Sequence, residues 1–331
     1  PRSAEVAFHP TSPTRTDTRS IHPILDAASS ERQSIADGGH ASAASTLATA
    51  TPICALDDLS KCYSREPFAT TPGLVLGIAP APEGVFLAQA DRVSLATEGG
   101  LRQVLALPSG TTGFTGIELD PQFSATHHVW VGQIETGQDG RASFSLVRYR
   151  ELHGQLAEPA HIVTGISLAD SAPVFKPSPD GKIYLAVPDD PRQSDPYEGR
   201  ILRYQTDGST PRDNPAAGPI FAAGPTQPIG LIVTAKGAGL YTGIGEQGQP
   251  KTLAFGPEDG RPFLSGRVTL DSNADLVVVG SPINGTLRLE RFRVEQATPT
   301  AVSDQWDEIF LASYSEGTGM SVVERLKPTR P

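Results

Sequence analysis

The stretch SPDGKIYLAV at residues 178–187, followed by GRILRYQTDGS at residues 199–209, decides the fold. Each run is short and rich in β-branched, aliphatic and aromatic residues, which favours β-strands. Each also carries an Asp-Gly pair, Asp180-Gly181 and Asp207-Gly208, and this pair is a strong turn signal. The two runs together therefore predict one strand–turn–strand unit.

Similar units recur along the chain about every 40–50 residues, a period that is typical of propeller blades. They lie at residues 84–95, 128–149, 180–204, 239–242, 274–289 and 307–325. Asn284-Gly285 between two such runs predicts a tight hairpin. A pair of β-sandwiches and a solenoid are the alternatives. A unit that recurs about six times favours an all-β fold, a six-bladed β-propeller with an extended N-terminal arm.

The composition supports this fold class and limits the kinds of partner that we expect. The chain has 331 residues with 33 Gly and 30 Pro, which favours many turns and short strands. Its net charge of −10, with scattered Lys and Arg, argues against a nucleic-acid partner. No stretch approaches the ~20 apolar residues of a membrane span, so we expect no transmembrane segment.

The two cysteines, Cys54 and Cys62, have no histidine between them and cannot form a zinc site alone. Their spacing suits a short disulfide loop, worth roughly 2–3 kcal/mol in the chain-entropy model. Two unrelated buried thiols are the alternative. A disulfide would imply an oxidising compartment, so we expect a periplasmic or secreted protein. The chain begins at Pro1 and not at Met, from which we expect a processed or shortened N-terminus.

The chain divides into three parts by composition. Residues 1–53 are rich in Ala, Ser, Thr and Pro, and Phe8 is their only aromatic residue. We predict an extended low-complexity arm there, with one short helix at residues 24–35, which needs its own domain or a partner to become ordered. Residues 54–71 are predicted to be a connecting segment that holds the disulfide loop. Residues 72–331 are predicted to be the propeller.

Three segments carry a family resemblance. They are GFTGIELDPQF at residues 113–123 with VWV at 129–131, SPDGKIY at 178–184, and GRILRYQTDGSTPRDNP at 199–215. The last one resembles the pattern Gly-Lys-Ile-Leu-Arg-x-x-x-Asp-Gly-Ser-x-Pro-x-Asp-Asn-Pro of the soluble quinoprotein glucose/sorbosone (aldose sugar) dehydrogenases. The first one resembles the same family's pattern Gly-Leu-x-Gly-Ile-Ala-Phe-x-Pro-Asp-Phe. The resemblance covers roughly residues 72–326 and implies a six-bladed propeller.

The resemblance also implies a site, and two of its motifs are altered. Family members hold pyrroloquinoline quinone with calcium, and a His in a His-x-Gly-Gly motif removes the hydroxyl proton of the sugar. Asp170 stands at that His position here. The family's second motif is Gly-x-Arg-Asn-Pro-Gln-Gly-Leu. Its frame is kept in Gly224, Pro228, Gly230 and Leu231, but its Arg-Asn pair, which binds the quinone, is replaced by Thr226 and Gln227. Losing the Arg removes a charge-assisted contact to a carboxylate. We therefore expect no catalytic residue and no quinone site.

No other catalytic motif replaces the lost one. The adjacent His127-His128 is interpreted as a polar loop before a strand. There is no His-Glu-x-x-His, no Gly-x-Ser-x-Gly and no phosphate loop. Asp189-Asp190 and residues 246–248 are acidic and turn-like, which leaves a calcium site open. Otherwise no cofactor is expected.

The sequence thus favours a pseudoenzyme that acts through protein contacts. By analogy with the family, we expect an accessory subunit on the periplasmic face of a membrane electron-transfer complex, respiratory or photosynthetic, with a cytochrome and with residues 1–53 contacting the partner. One alternative is an active dehydrogenase with a displaced base, which requires pyrroloquinoline quinone and calcium. The other is a metal-dependent propeller lactonase.

Overall fold

The computed structural model describes most of the chain from residue 52 onward. The described residues are 52–54, 62–137, 140–168, 171–189, 195–215, 217–224, 227–233, 239–244, 250–255, 266–269, 276–283, 286–293, 298–305 and 308–329. All of them belong to one compact unit, Ala43–Pro331. The predicted helix at residues 24–35 and the predicted arm, apart from its last two positions, lie outside the described residues.

The described residues form β-strands and one short helix, α1 (Phe123–Thr126), so the predicted all-β class is confirmed. None of the helical structure described is long and apolar enough to cross a membrane. In chain order the strands are β1 (Ile53–Cys54), β2 (Cys62–Pro72), β3 (Val75–Ala81), β4 (Gly84–Gln89), β5 (Arg92–Thr97), β6 (Gly100–Ala106), β7 (Thr111–Leu119), β8 (His128–Thr136), β9 (Ala142–Leu152), β10 (Gln155–Ser167), β11 (Val174–Pro177), β12 (Lys182–Ala186), β13 (Arg200–Gln205), β14 (Ile220–Ala223), β15 (Gln227–Val233), β16 (Gly239–Ile244), β17 (Pro250–Phe255), β18 (Gly266–Thr269), β19 (Leu276–Ile283), β20 (Thr286–Arg293), β21 (Thr298–Gln305), β22 (Glu308–Ser315) and β23 (Met320–Pro328).

The strands are arranged in sheets that follow one another around a ring. Strands β3–β6, β7–β10, β11–β14, β15–β17 and β18–β20 each form a sheet in chain order, and the last sheet has the order β1-β2-β23-β22-β21. The first strands β3, β7, β11, β15, β18 and β21 contact one another in turn, and β21 contacts β3. A closed ring of antiparallel sheets is a β-propeller, as the repeated units predict.

The N-terminal strand closes this ring. Strand β2 pairs with β23, from Tyr63 opposite Pro328 to Pro72 opposite Met320. The sequence analysis assigned residues 54–71 to a connecting segment, whereas the structure places residues 62–71 in a sheet. Local patterns do not reveal this pairing because the partner is distant in sequence: Arg65 binds Glu324, 259 positions away.

The predicted disulfide is confirmed. Cys54 on β1 lies opposite Cys62 on β2, and the two sulfur atoms are bonded. The bond therefore fastens the two-residue strand β1 to the outer edge of the ring-closing sheet.

Strand β12 explains why the strand-forming runs quoted at the start are apolar at successive positions and not only at every second position. Ile183, Tyr184, Leu185 and Ala186 are all fully buried. Ile183 and Leu185 pack in a cluster with Trp130 of the preceding sheet, and Tyr184 and Ala186 pack in a cluster with residues of the following sheet. A strand covered on both faces needs apolar side chains on both.

The predicted turns are present. The Asp180 carboxylate accepts hydrogen bonds from the Lys182 backbone N–H at 3.0 Å and from the Tyr184 hydroxyl at 2.9 Å, and Gly181 has a φ of 75°. Strands β19 and β20 pair up to Ile283 opposite Thr286, which confirms the predicted two-residue hairpin. The loop residues Asn284 and Gly285 lie outside the described residues.

The ring has two ends, which we call the top face and the bottom face. The top face holds the described residues that lead into the first strands: residues 73–74, 107–110, 168, 171–173 and 224. The bottom face holds the described turns that follow the first and third strands: residues 82–83, 98–99, 120–127, 153–154, 178–181, 206–215 and 217–219. Glu118 and Lys176, near the ends of β7 and β11, are in contact, so these two first strands point the same way.

Candidate functional site

The positions that the resemblance singles out adjoin two neighbouring strands in sequence. Asp170 comes shortly before β11, and Thr226 immediately precedes β15. Strands β11 and β15 contact each other. Asp170 and Thr226 lie outside the described residues, and only the backbone of Gln227 is described, at the start of β15. Their roles stay predictions.

A long loop between β12 and β13 holds the segment next to Asp170. The Asp195 carboxylate in this loop accepts a hydrogen bond from the backbone N–H of Ser167, at the end of β10, at 3.3 Å. It also accepts one from the Tyr197 backbone N–H at 2.9 Å. These two hydrogen bonds tie the loop to the end of β10, so Asp195 acts as a loop anchor.

The residues that survive from the family's second motif have structural roles. The Gly224 backbone N–H donates to the Gly199 carbonyl at 2.8 Å, and a Cβ at Gly224 would lie 2.9 Å from the Arg200 carbonyl carbon. Gly230 is buried, and Leu231 is in the core cluster that includes Tyr184. This frame therefore persists because the backbones and side chains pack closely, whether or not a cofactor binds.

The inner wall of the ring carries an ion pair that the sequence analysis missed. The Lys176 ammonium lies 2.7 Å from a Glu118 carboxylate oxygen, and about a quarter or less of each side chain is exposed. Among β3, β7 and β11, the first strands whose side chains are described, Lys176 is the only cation. Glu118 stands where the family pattern has Ala. This difference was the feature of the sequence that could have indicated the ion pair.

The motif most specific to the family lies at the bottom face, away from the altered positions. Asn214 accepts a hydrogen bond from the Arg203 Nε at 2.7 Å and donates to the Gly218 carbonyl at 2.9 Å. The Arg203 guanidinium, almost fully buried, lies 4.3 Å from the centre of the Phe221 ring. These contacts fold the loop between β13 and β14 and explain the motif without any catalytic role.

The Asp207-Gly208 turn in the same motif contacts the preceding sheet. Gly208 has a φ of 86°, and a Cβ there would lie 2.4 Å from the Ile162 carbonyl oxygen on β10. Hydrogen bonds from the Ser209 hydroxyl and backbone N–H hold the pKa of the Asp207 carboxyl below its ordinary value. The turn is thus fixed by its own hydrogen bonds and by contact with the neighbouring sheet.

The described histidines do not supply a base at the top face. His127 follows α1 with a φ of 54°, and its Nδ1 lies 3.3 Å from a Glu151 carboxylate oxygen. His128 begins β8, and burial, aided by Arg148, lowers its pKa below the ordinary value. None of the described histidines is on a first strand; these are His127, His128, His153 and His161. His9, His22 and His40 lie outside the described residues.

The calcium candidates receive no support from the part of the chain that the structure describes. In that part, no group of three or more His, Cys, Asp or Glu residues could hold a metal ion. Asp189 is described and lies beside Gly199, but Asp190 and residues 246–248 lie outside the described residues.

Comparison with known proteins agrees with this architecture. The family model "Glucose / Sorbosone dehydrogenase" matches residues 79–251, more than half of the chain. The soluble aldose sugar dehydrogenase of Escherichia coli in its apo form is 14% identical, with a TM-score of 0.60, over 81% of this chain and 100% of that chain. The PQQ-bound aldose sugar dehydrogenase of Streptomyces coelicolor is 17% identical, with a TM-score of 0.60, over 81% and 98%.

A third structure, a putative glucose dehydrogenase of Thermus thermophilus, is 19% identical, with a TM-score of 0.62, over 80% of this chain and 99% of that chain. A search of curated proteins found no match. At these identities the solved structures establish the fold, and the family model establishes the membership. The chain belongs to the glucose/sorbosone dehydrogenase family.

Proposed function

We propose that this protein is a six-bladed propeller that does not oxidise sugars and acts as an accessory interaction subunit. Each of the sheets around the ring would be one blade, and the contact between β21 and β3 supports a closed ring of six. Residues 1–53 would be an extended arm that contacts the partner. The alteration of both cofactor motifs within a preserved frame carries the proposal.

The first alteration removes the base. An imidazole titrates near neutral pH and can accept the proton of a sugar hydroxyl, whereas an ordinary carboxyl is a much weaker base. Asp170 therefore does not replace the family's His in its chemistry. Pro173, close to this position, also fixes the backbone φ and removes an N–H donor.

The second alteration removes the charge that a quinone with several carboxylates needs. Thr226 and Gln227 are neutral, whereas the family's Arg offers a bidentate, charge-assisted contact. The described inner wall does not replace the positive charge of the family's Arg. Its Lys176 ammonium is neutralised by Glu118 and lies toward the bottom face. The residues present do not fit pyrroloquinoline quinone, and no reaction step is derived through it.

The disulfide and the family support the proposed location and partner. The Cys54–Cys62 bond favours an oxidising compartment, which supports a periplasmic or secreted protein. Family members carry out periplasmic electron-transfer chemistry beside cytochromes. This analogy supports a role on the periplasmic face of a membrane electron-transfer complex.

A dye-coupled oxidation assay on a panel of aldoses, with added pyrroloquinoline quinone and calcium, tests the proposal. We expect no turnover above the protein-free control. The matched variant Asp170→His/Thr226→Arg/Gln227→Asn restores the family residues and would show whether the frame can still support the reaction. Turnover by the unaltered protein would overturn the proposal and favour an active dehydrogenase with a displaced base.

A further inference from the structure

A cleft of about 660 Å³ opens on the bottom face between the ring-closing sheet and the β3–β6 sheet. We call it the closure cleft. Its apolar lining includes Val85 and Phe310, which are 1% and 5% exposed, and the partly buried Phe68. The rings of Phe68 and Phe310 lie 5.3 Å apart, nearly perpendicular to each other. The cleft therefore offers an aromatic corner to an apolar side chain.

Two carboxylates stand at the edge of this corner. Glu83 and Glu98 line the closure cleft, and both are exposed. Arg325 is the only cation in the lining, and it is already engaged: its guanidinium lies 5.8 Å from the centre of the Phe68 ring and donates to Glu66 at 3.2 Å. The edge of the cleft thus carries two negative charges that Arg325 does not neutralise.

The two turns that carry these carboxylates are well fixed. A Cβ at Gly84 would lie 2.2 Å from the Ala96 carbonyl oxygen, so the turn with Glu83 lies tightly against β5. The Thr97 hydroxyl accepts from the Gly99 backbone N–H and donates to the Gly100 carbonyl, each at 3.2 Å, which orders the turn with Glu98. A site that is formed in advance loses little entropy when it binds.

The closure cleft differs in charge from its neighbour. The neighbouring bottom-face groove, about 550 Å³ in volume, shares Glu83 with the closure cleft but is also lined by Arg102 and Arg150, neither of which lines the closure cleft. The closure cleft therefore selects against acidic segments and against anionic lipid, because its two carboxylates would repel them. A second copy of this chain, with a net charge of −10, is also disfavoured.

We propose that the closure cleft binds a basic segment of a partner protein. An aromatic or aliphatic side chain of that segment packs against Phe68 and Phe310, and flanking Lys or Arg residues pair with Glu83 and Glu98. The lining of the cleft includes none of the positions that the resemblance assigns to the base or to the quinone. The proposal therefore stands whether or not the protein oxidises sugars.

Fluorescence anisotropy with the labelled peptides Lys-Phe-Lys-Leu-Lys and Glu-Phe-Glu-Leu-Glu tests the proposal. We expect the basic peptide to bind, and the acidic peptide not to bind. The double variant Glu83→Gln/Glu98→Gln should weaken the basic peptide about fivefold to tenfold, since two exposed charge pairs are lost. Raising the salt concentration should weaken binding in the unaltered protein and much less in this variant.

Glu316→Gln is the matched control. Glu316 is exposed in the turn between β22 and β23, away from the cleft, and its substitution changes the net charge in the same direction. It should leave the affinity of the basic peptide unchanged. Circular dichroism shows that each variant is folded. Equal binding of the two peptides, no binding of either, or an affinity that the double variant does not change would overturn the proposal.

Discussion

The top and bottom faces of the ring differ in what they retain from the family. At the bottom face the family pattern is kept: Asp180-Gly181, Asp207-Gly208 and Asn214 form turns and hydrogen bonds that the structure explains. At the top face Gly224 is kept as well, but the resemblance assigns the base and the quinone-binding pair to positions that hold Asp170, Thr226 and Gln227. Under the proposed function, the residues that hold the fold are kept and those that would serve the reaction are changed.

The reason lies in the physical constraints on each residue. Gly208 faces a carbonyl oxygen that leaves no room for a Cβ, and Asn214 satisfies a buried guanidinium. Changing either one costs stability in any member, active or not. A proton acceptor or an anion-binding Arg adds little to the stability of the fold. In the proposed accessory subunit, those positions are free of the constraint that the reaction imposes.

The largest effect is expected from Gly208→Ala at the bottom face. Gly208 combines a φ of 86° with a Cβ position 2.4 Å from a carbonyl oxygen, so we expect a loss of about 3 kcal/mol in the free energy of unfolding. Gly110→Ala at the top face is the control, because its φ is 85° with nothing within 4 Å of the Cβ. We expect about 1 kcal/mol there, measured by urea unfolding. Equal losses would show that the contact with β10 is unimportant.

A smaller effect is expected from Asn214→Ala. It removes the acceptor for the Arg203 Nε and leaves a buried charged group less well satisfied, at about 2 kcal/mol. Asp213→Ala is the control, since Asp213 contacts the same guanidinium at 3.0 Å but its side chain is 70% exposed. We expect less than about 1 kcal/mol for it in the same unfolding experiment. If Asp213→Ala were the more costly variant, the role assigned to Asn214 would be wrong.

The smallest effect is expected from Glu118→Ala, which restores the family residue at the inner wall. The pair with Lys176 is partly exposed, so we expect a loss of about 1 kcal/mol or less. A double-mutant cycle with Lys176→Met measures the coupling of the two charges. A coupling well above this value would mean that the ion pair holds β7 and β11 together.

Sequence predicts much of the fold because short-range signals repeat. The Asp-Gly turns and continuous apolar runs such as residues 182–187 identify strands between two covering sheets, and the cysteine spacing predicts the disulfide. The role of β2 was missed because its partner β23 is near the other end of the chain. A pairing over such a distance leaves no local pattern.

The candidate site could be predicted only in part. The resemblance indicates which positions matter, but Asp170 and Thr226 lie outside the described residues, and their roles stay predictions. The Glu118–Lys176 pair joins two strands of different sheets, so its members are far apart in sequence. The closure cleft likewise depends on the pairing of β2 and β23, and neither Phe68 nor Glu98 belongs to a recognisable motif.

The most direct test of the account is the unfolding temperature of the unaltered protein, measured by scanning calorimetry with and without pyrroloquinoline quinone plus calcium. A ligand that binds the folded state at a hundredfold excess over its Kd adds about 2.7 kcal/mol of stability, which raises the Tm by several degrees. If the altered motifs no longer hold the quinone, as proposed, the Tm is the same as with calcium alone. A rise of about 5 °C or more would contradict the proposal and show that the protein still binds the cofactor.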